Sequence, residues 1–250
     1  MRLLKDTGHG DLSLVEYDDD TIPRYAILSH TWGADGEEVT FKDLAEGTGK
    51  NKTGYDKIEF CRKQAASDDV QLFWVDTCCI DKSSSAELTE AINSMFRWYQ
   101  NADKCYVYLS DVLTSGDATN AKLPTTTWEA AFQESKWFRR GWTLQELIAP
   151  ASVEFFSKEG DRLGSKSSLE QQIHKITGIA VEALRGRLLT EFAVEERMSW
   201  ASHRETRKQE DKVYSLLGLF NVHLPLIYGE GREKAFVRLR EEIGKSSKCK

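Results

Sequence analysis

The chain lacks the features of membrane, secreted and nucleic-acid-binding proteins. None of its apolar runs approaches the roughly 20 residues needed to cross a bilayer, and its start has no apolar signal-peptide core. The five cysteines are an odd number without framework spacing, which predicts reduced thiols in the cytoplasm. A formal net charge of −6 gives no electrostatic footprint for nucleic acid or an anionic membrane. We therefore expect a cytoplasmic protein that binds neither nucleic acid nor membrane.

Several signatures of known enzyme classes are also missing. The sequence contains no GxGxxG dinucleotide fingerprint, no P-loop, no GxSxG nucleophile turn and no HExxH zinc motif. Cys78 and Cys79 are adjacent and cannot form a zinc-type CxxC pair, so no metal site is predicted. Hydride transfer, nucleotide triphosphate hydrolysis and serine-dependent hydrolysis are therefore disfavoured.

The pattern of apolar segments predicts an α/β fold. Four short apolar runs indicate buried strands at 24–29, 72–75, 105–109 and 153–156. Helical spacing follows them at 55–66, from the Ser84 capping box to Tyr99, and at 127–133 and 142–148. Strands that alternate with helices favour a doubly wound, mainly parallel sheet of about four or five strands with helices on both faces.

The domain organisation follows from the same pattern. The α/β core is predicted for residues 24–157, and residues 158–250 are mainly helical. No linker-like composition separates the two parts. We therefore expect residues 1–250 to form a single domain whose helical extension packs on the sheet.

Polar residues follow the first two predicted strands. Ser29, His30, Trp32 and Gly33 come after the first strand, and Asp76 comes after the second. Ligands of open α/β sheets bind outside the carboxyl ends of the strands. These five residues are therefore predicted to line a substrate cleft, with the Gly33 backbone close enough for a ligand to approach.

A helix near residues 142–148 carries the predicted catalytic group. Trp142 and Glu146 are four residues apart and lie on one helical face. An aromatic plane beside a carboxylate suits a site that holds a flat ring next to a sugar and stabilises positive charge on that sugar. Arg139 or Arg140 would contact phosphate, and Arg139 is assigned to substrate binding.

Each of these residues also has a structural interpretation. Trp142 would be buried with Glu146 solvated one turn away, His30 would stabilise a loop, and Asp76 would cap the following segment. A metal- or thiol-dependent hydrolase that uses Cys78, Cys79 and His30 is a more distant alternative.

Four ordered segments, at 25–33, 74–81, 140–147 and 210–218, resemble the successive signature segments of the HET (heterokaryon incompatibility) domain. The resemblance implies a fungal cytoplasmic domain that triggers cell death on non-self recognition. Such domains are often the N-terminal effectors of larger NOD-like receptors with nucleotide-binding and repeat domains. Within the last segment, we expect Glu210 and Asp211 to act in packing and to pair with Arg204 or Arg207.

Residues 142–147 also resemble the Trp-Cys-x-x-Glu-Leu pattern of TIR domains, with Thr143 in place of the cysteine. TIR domains are doubly wound sheets, and some hydrolyse NAD through a glutamate after the third strand. This resemblance implies NAD as the substrate rather than a bound cofactor, and Glu146 as the catalytic residue. The leading hypothesis is an NAD glycohydrolase activated by self-association. The alternative is a non-enzymatic module that signals cell death by oligomerising.

Overall fold

The computed structural model describes residues 1–8, 10–114 and 128–248, with side chains to residue 245. The described residues form one seven-stranded mixed sheet in the order β2-β1-β4-β3-β5-β6-β7. The strands are β1 (Arg2–Gly8), β2 (Asp11–Glu16), β3 (Ala26–His30), β4 (Leu72–Trp74), β5 (Lys104–Tyr108), β6 (Val153–Phe156) and β7 (Arg162–Ser165).

The centre of the sheet is parallel. β3 pairs with β4 and β5, and β5 pairs with β6, in parallel register. The four strands are almost entirely buried, as expected for continuous apolar runs covered on both faces. α2 (Tyr55–Ser67) connects β3 to β4, and α3 (Ser85–Asn101) connects β4 to β5. In the sheet, β4 and β5 lie on opposite sides of β3, so the two connections run in opposite directions. Right-handed crossovers therefore place α2 and α3 on opposite faces, and the predicted α/β class is confirmed.

The outer strands extend the sheet beyond residues 24–157. β1 and β2 form an antiparallel hairpin that joins the sheet through β4, and β7 pairs antiparallel with β6. Sequence patterning missed all three strands. In β1 only Leu3 and Leu4 are buried, and β2 has no buried residue, so neither strand shows a buried apolar run. β7 has four residues and contains Gly164.

Helices and two 3₁₀ turns make up the rest of the regular secondary structure in the described residues. Between β3 and β7 lie α1 (Phe41–Ala45), α4 (Trp128–Glu134), a 3₁₀ turn (Lys136–Arg139) and α5 (Thr143–Ile148). After β7 come α6 (Glu170–Thr177), α7 (Val181–Leu184), a 3₁₀ turn (Leu189–Glu191), α8 (Val194–Ser199), α9 (Asp211–Tyr214), α10 (Leu217–Phe220) and α11 (Arg232–Lys248). Thr127, the first residue of the helix predicted at 127–133, lies outside the described residues. Within the described ranges, no helix combines the length and apolar character needed to cross a membrane.

The helical third packs onto the core through α10, which lies against α3. Gly218 of α10 allows this approach, because a Cβ atom there would overlap the Phe96 ring and its Cβ. We expect Gly218→Ala to lower the free energy of unfolding by about 1–3 kcal/mol, measured by urea denaturation. Gly244→Ala in α11 is the matched control, since a Cβ there meets nothing within 4 Å. The control should raise stability by up to about 1 kcal/mol, and equal losses in both variants would contradict the packing argument.

Candidate functional site

A pocket of about 540 Å³ opens at the carboxyl ends of β3 and β4. This volume lies within the range of small-molecule sites. Its walls come from the loops after both strands, from α3 and α5, and from residues 205–211 of the helical third. The structure brings together five of the residues predicted for the site: His30, Trp32, Asp76, Trp142 and Glu146.

Glu146 is a buried carboxyl group that faces this pocket. All six residues of α5 are buried, and Glu146 itself is 7% exposed. Ser29 Oγ donates a hydrogen bond to Glu146 Oε2 and accepts one from Trp137 Nε1 at 2.8 Å. Burial raises the pKa of Glu146 to about 8, so the free protein at neutral pH carries mostly protonated carboxyl.

Tyr99 completes the surroundings of the carboxyl group. Its hydroxyl is a further hydrogen-bond partner of Glu146. The same hydroxyl donates to the Leu28 carbonyl oxygen at 3.0 Å. Hydrogen bonding to Ser29 and to Tyr99 lowers the pKa of Glu146, and burial outweighs both.

His30 and Asp76 form the floor nearest the strand ends. His30 Nε2 is buried without a hydrogen-bond partner among the described residues and lies 3.8 Å from Asp76 Oδ1 and from Glu38 Oε2. Burial lowers the pKa of His30 to about 4, so the imidazole is neutral at pH 7. Its ring nitrogen is therefore available to a hydroxyl-bearing ligand.

Trp32 and Lys82 hold Asp76 in its charged form. Trp32 Nε1 donates to Asp76 Oδ2 at 2.9 Å, and Lys82 Nζ lies 3.5 Å from the same oxygen and 3.8 Å from the centre of the Trp32 ring. Burial alone would raise the pKa of Asp76, but the Lys82 charge and the other partners outweigh burial and keep that pKa below its usual value.

Arg140, not Arg139, lines the pocket. Arg140 has extended backbone angles. Arg139 ends the preceding 3₁₀ turn and pairs with Glu134 at 2.6 Å in a separate depression. Arg139, which the sequence analysis assigns to substrate binding, thus lies outside the lining of this pocket.

Ser29 and Gly33 occupy positions other than those predicted. Ser29 lies beneath Glu146 and acts on the carboxyl group without lining the pocket. The Gly33 amide donates to Glu38 Oε1 at 2.6 Å, and Gly33 is not part of the pocket wall. Cys78 and Cys79 are buried and also lie outside the wall, and burial raises the pKa of the Cys78 thiol.

One wall comes from a segment that sequence reasoning assigned to packing. Asp211 lines the pocket and accepts a hydrogen bond from Tyr228 at 3.0 Å. Burial raises the pKa of Asp211. Glu210, by contrast, accepts hydrogen bonds from the amides of Gly229 and Gly231, which is the expected structural role. The charged residues at the start of the largely apolar segment 210–218 were the signal for Asp211.

The predicted ion pairs of this region are wrong. Arg207 pairs with Asp35 at the pocket mouth. Arg204 is buried and donates to the Arg140 carbonyl oxygen and to Thr143 Oγ1, both at 2.8 Å.

Arg204 and Arg207 belong to a segment that is bridged to residues 139–141 by backbone hydrogen bonds. The Glu205 amide donates to the Arg139 carbonyl oxygen, and the Gly141 amide donates to the Glu205 carbonyl oxygen.

The buried acid should make stability depend on pH. The pKa of Glu146 rises from 4.5 to about 8 on folding, so the folded state is favoured most at low pH and loses that advantage as pH rises towards 8. His30 acts in the opposite direction, but only between pH 6.5 and about 4. Between pH 6.5 and 8 we expect the urea unfolding free energy to fall by about 1.5–2 kcal/mol, and to fall much less in Glu146→Gln. Parallel curves for the two proteins would exclude a raised pKa.

Comparison with known proteins identifies the class. Residues 25–127 match the profile of the family described as "Heterokaryon incompatibility protein (HET)". The match includes the segments at 25–33 and 74–81 and confirms the resemblance to this family. It is 58% identical, over all 250 residues, to "Vegetative incompatibility protein HET-E-1" of Podospora anserina, and it spans 18% of that protein's length. No solved structure matches the chain.

Proposed function

We propose that this domain is a cytoplasmic cell-death effector of heterokaryon incompatibility that hydrolyses the bond between nicotinamide and ribose in NAD. The observation that carries the proposal is the Glu146 carboxyl group, buried at a pocket with aromatic walls and a cationic rim. The incompatibility role rests on the family match and on the name of the relative. The chain spans 18% of that relative's length, and we further propose that downstream nucleotide-binding and repeat domains activate it by self-association.

The reaction needs few groups from the protein. Nicotinamide in NAD is already a cationic leaving group, so its departure requires no general acid. Water adds to the ribose carbon, and the products are nicotinamide, ADP-ribose and one proton. The transition state resembles an oxocarbenium ion, which an adjacent carboxylate stabilises. Glu146 is the carboxylate that the pocket offers at its buried end.

The remaining walls match the other parts of NAD. Trp142 and Trp32 offer flat surfaces for an aromatic ring. Arg140 and Lys208 at the rim carry positive charge for the pyrophosphate. The neutral His30 side chain offers a hydrogen bond to a ribose hydroxyl.

The raised pKa of Glu146 predicts how turnover depends on pH. The stabilising form is the carboxylate, whereas the free protein holds the proton until about pH 8. We therefore expect kcat/KM for NAD to rise with pH and to level off above about pH 8. The cationic nicotinamide ring favours ionisation, so the corresponding pKa in kcat should be lower. A kcat/KM profile that is flat from pH 6 to 9 would contradict this assignment.

The direct test is to incubate concentrated, purified protein with NAD and to measure released nicotinamide by chromatography. We expect nicotinamide and ADP-ribose in equal amounts. Because activation by assembly is part of the proposal, the measurement is repeated with the domain fused to a protein that forms defined oligomers. Absence of nicotinamide release from both forms would overturn the enzymatic proposal and leave the oligomerising module.

A further inference from the structure

A second pocket, of about 720 Å³, lies on the other side of the segment that forms one wall of the Glu146 pocket. Gly141 and Thr206 line both pockets. The second pocket is formed by α8, α9 and α11 and by residues 201–206. It belongs entirely to the helical third and its junction with α5, and it contains none of the side chains given a role in NAD hydrolysis.

Four basic side chains give the second pocket a strong positive charge: Arg204, Lys212, Arg232 and Arg240. We call it the cationic pocket. Among the described residues around it, Glu233 is the one acid. Within the part of the chain that the structure describes, no carboxylate forms an ion pair with any of the four cations. Most exposed cations elsewhere on the protein surface form an ion pair with an acidic residue. The positive charge of these four side chains is therefore available to an anionic ligand.

Arg204 is the second, independent indication of a ligand. It is 3% exposed, yet its Nη2 atom has no hydrogen-bond partner among the described residues. Its Nη1 atom holds the Arg140 carbonyl oxygen and Thr143 Oγ1. A buried guanidinium without a carboxylate is costly unless an anion accompanies it. Burial lowers the pKa of Arg204 to about 9, which leaves the group cationic at neutral pH.

We propose that the cationic pocket binds a polyphosphate anion, either free or as part of a nucleotide. Guanidinium groups match phosphate oxygens in pairs, and three or four cations in one concavity match several phosphates better than one carboxylate. Met198, Leu216 and Phe236 line the same pocket and provide an apolar surface for an organic group attached to the phosphates. The proposal does not depend on NAD hydrolysis.

The position of the pocket gives its ligand a route to the other site. Arg204 holds Thr143, the first residue of the helix that carries Glu146. A phosphate that engages the free Nη2 atom fixes the Arg204 side chain and thereby the start of that helix. The cationic pocket is thus placed to act as an effector site.

Isothermal titration calorimetry with inorganic tripolyphosphate and with ATP tests the proposal. We expect saturable binding of at least one probe with one ligand per chain, and a loss of at least about tenfold in affinity in Lys212→Gln/Arg240→Gln. Tighter binding of ATP would assign the apolar surface to an organic group, and equal affinities would assign the site to polyphosphate alone. Both outcomes support the site.

Two control variants locate the binding. Lys42→Gln/Arg187→Gln removes the same charge from exposed positions outside both pockets and should bind like the unaltered protein. Lys208→Gln removes a cation from the Glu146 pocket and should leave binding at the cationic pocket unchanged. The proposal is overturned if neither probe binds saturably, if the Lys212/Arg240 variant binds as well as the unaltered protein, or if only Lys208→Gln loses binding.

Discussion

Replacing Glu146 by glutamine is expected to reduce NAD turnover by a factor on the order of a hundred or more, the scale for removing a preorganised electrostatic group. Glutamine keeps the length and the hydrogen-bonding reach of the side chain but cannot become negative. The folded state should not suffer, because the neutral amide replaces an acid whose charge is disfavoured by burial. Above pH 7 we expect Glu146→Gln to be at least as stable as the unaltered protein. Turnover and urea denaturation are measured on the same preparation.

The matched control is Glu134→Gln, the same chemical change at an exposed residue that pairs with Arg139 outside the pocket. It should leave turnover unchanged. In cells, NAD loss and cell-death signalling should disappear together in Glu146→Gln. Cell death that persists without NAD turnover would support the oligomerising module instead.

Truncation of Trp137 to alanine should have the largest effect on stability, a loss of about 3–5 kcal/mol in the free energy of unfolding. Trp137 is fully buried, with ring centres 5.0 Å from Phe138 and 5.6 Å from Phe155. Its Nε1 atom also supplies the hydrogen bond that holds Ser29 under Glu146. The truncation leaves a cavity and removes that donor.

Trp137→Phe separates the two contributions. Phenylalanine fills most of the volume but donates no hydrogen bond, so we expect a clearly smaller loss of stability, on the order of 1–2 kcal/mol. The Ser29 hydroxyl then loses the hydrogen bond from Trp137 but keeps its bond to Glu146, so the pKa observed in the pH profile of kcat/KM should change. Equal stability of the alanine and phenylalanine variants, measured by urea denaturation, would show that packing of this ring contributes little.

The central strands could be predicted because a buried strand is recognisable in the sequence as a short apolar run. β3, β5 and β6 are short, nearly continuous apolar runs, and α3 begins at a Ser84 cap with a clear apolar stripe. β1 and β2 could not be found in this way. Their stability comes from pairing with each other and with β4, and pairing between distant segments leaves little mark on local composition.

The site was predictable where its residues follow strands and not where they come from distant helices. His30, Trp32 and Asp76 follow the rule for strand ends. Met95 of α3 and Tyr228 reach the pocket through tertiary packing alone. The burial of Glu146 was also missed, because a polar residue in a six-residue helix is normally taken to face solvent. That error matters, since burial raises the pKa on which the mechanism depends.

The backbone bridge between Arg140 and Glu205 has a consequence for the order in which the site is completed during synthesis. A ribosome that has released only residues 1–157 has already made His30, Asp76 and Glu146. The bridging segment and the Asp211 wall are still to come, and the Glu146 pocket lacks one side until they emerge. A nascent chain therefore cannot present the finished pocket before the helical third has been translated and folded, which delays any activity of this site until synthesis of the domain is complete.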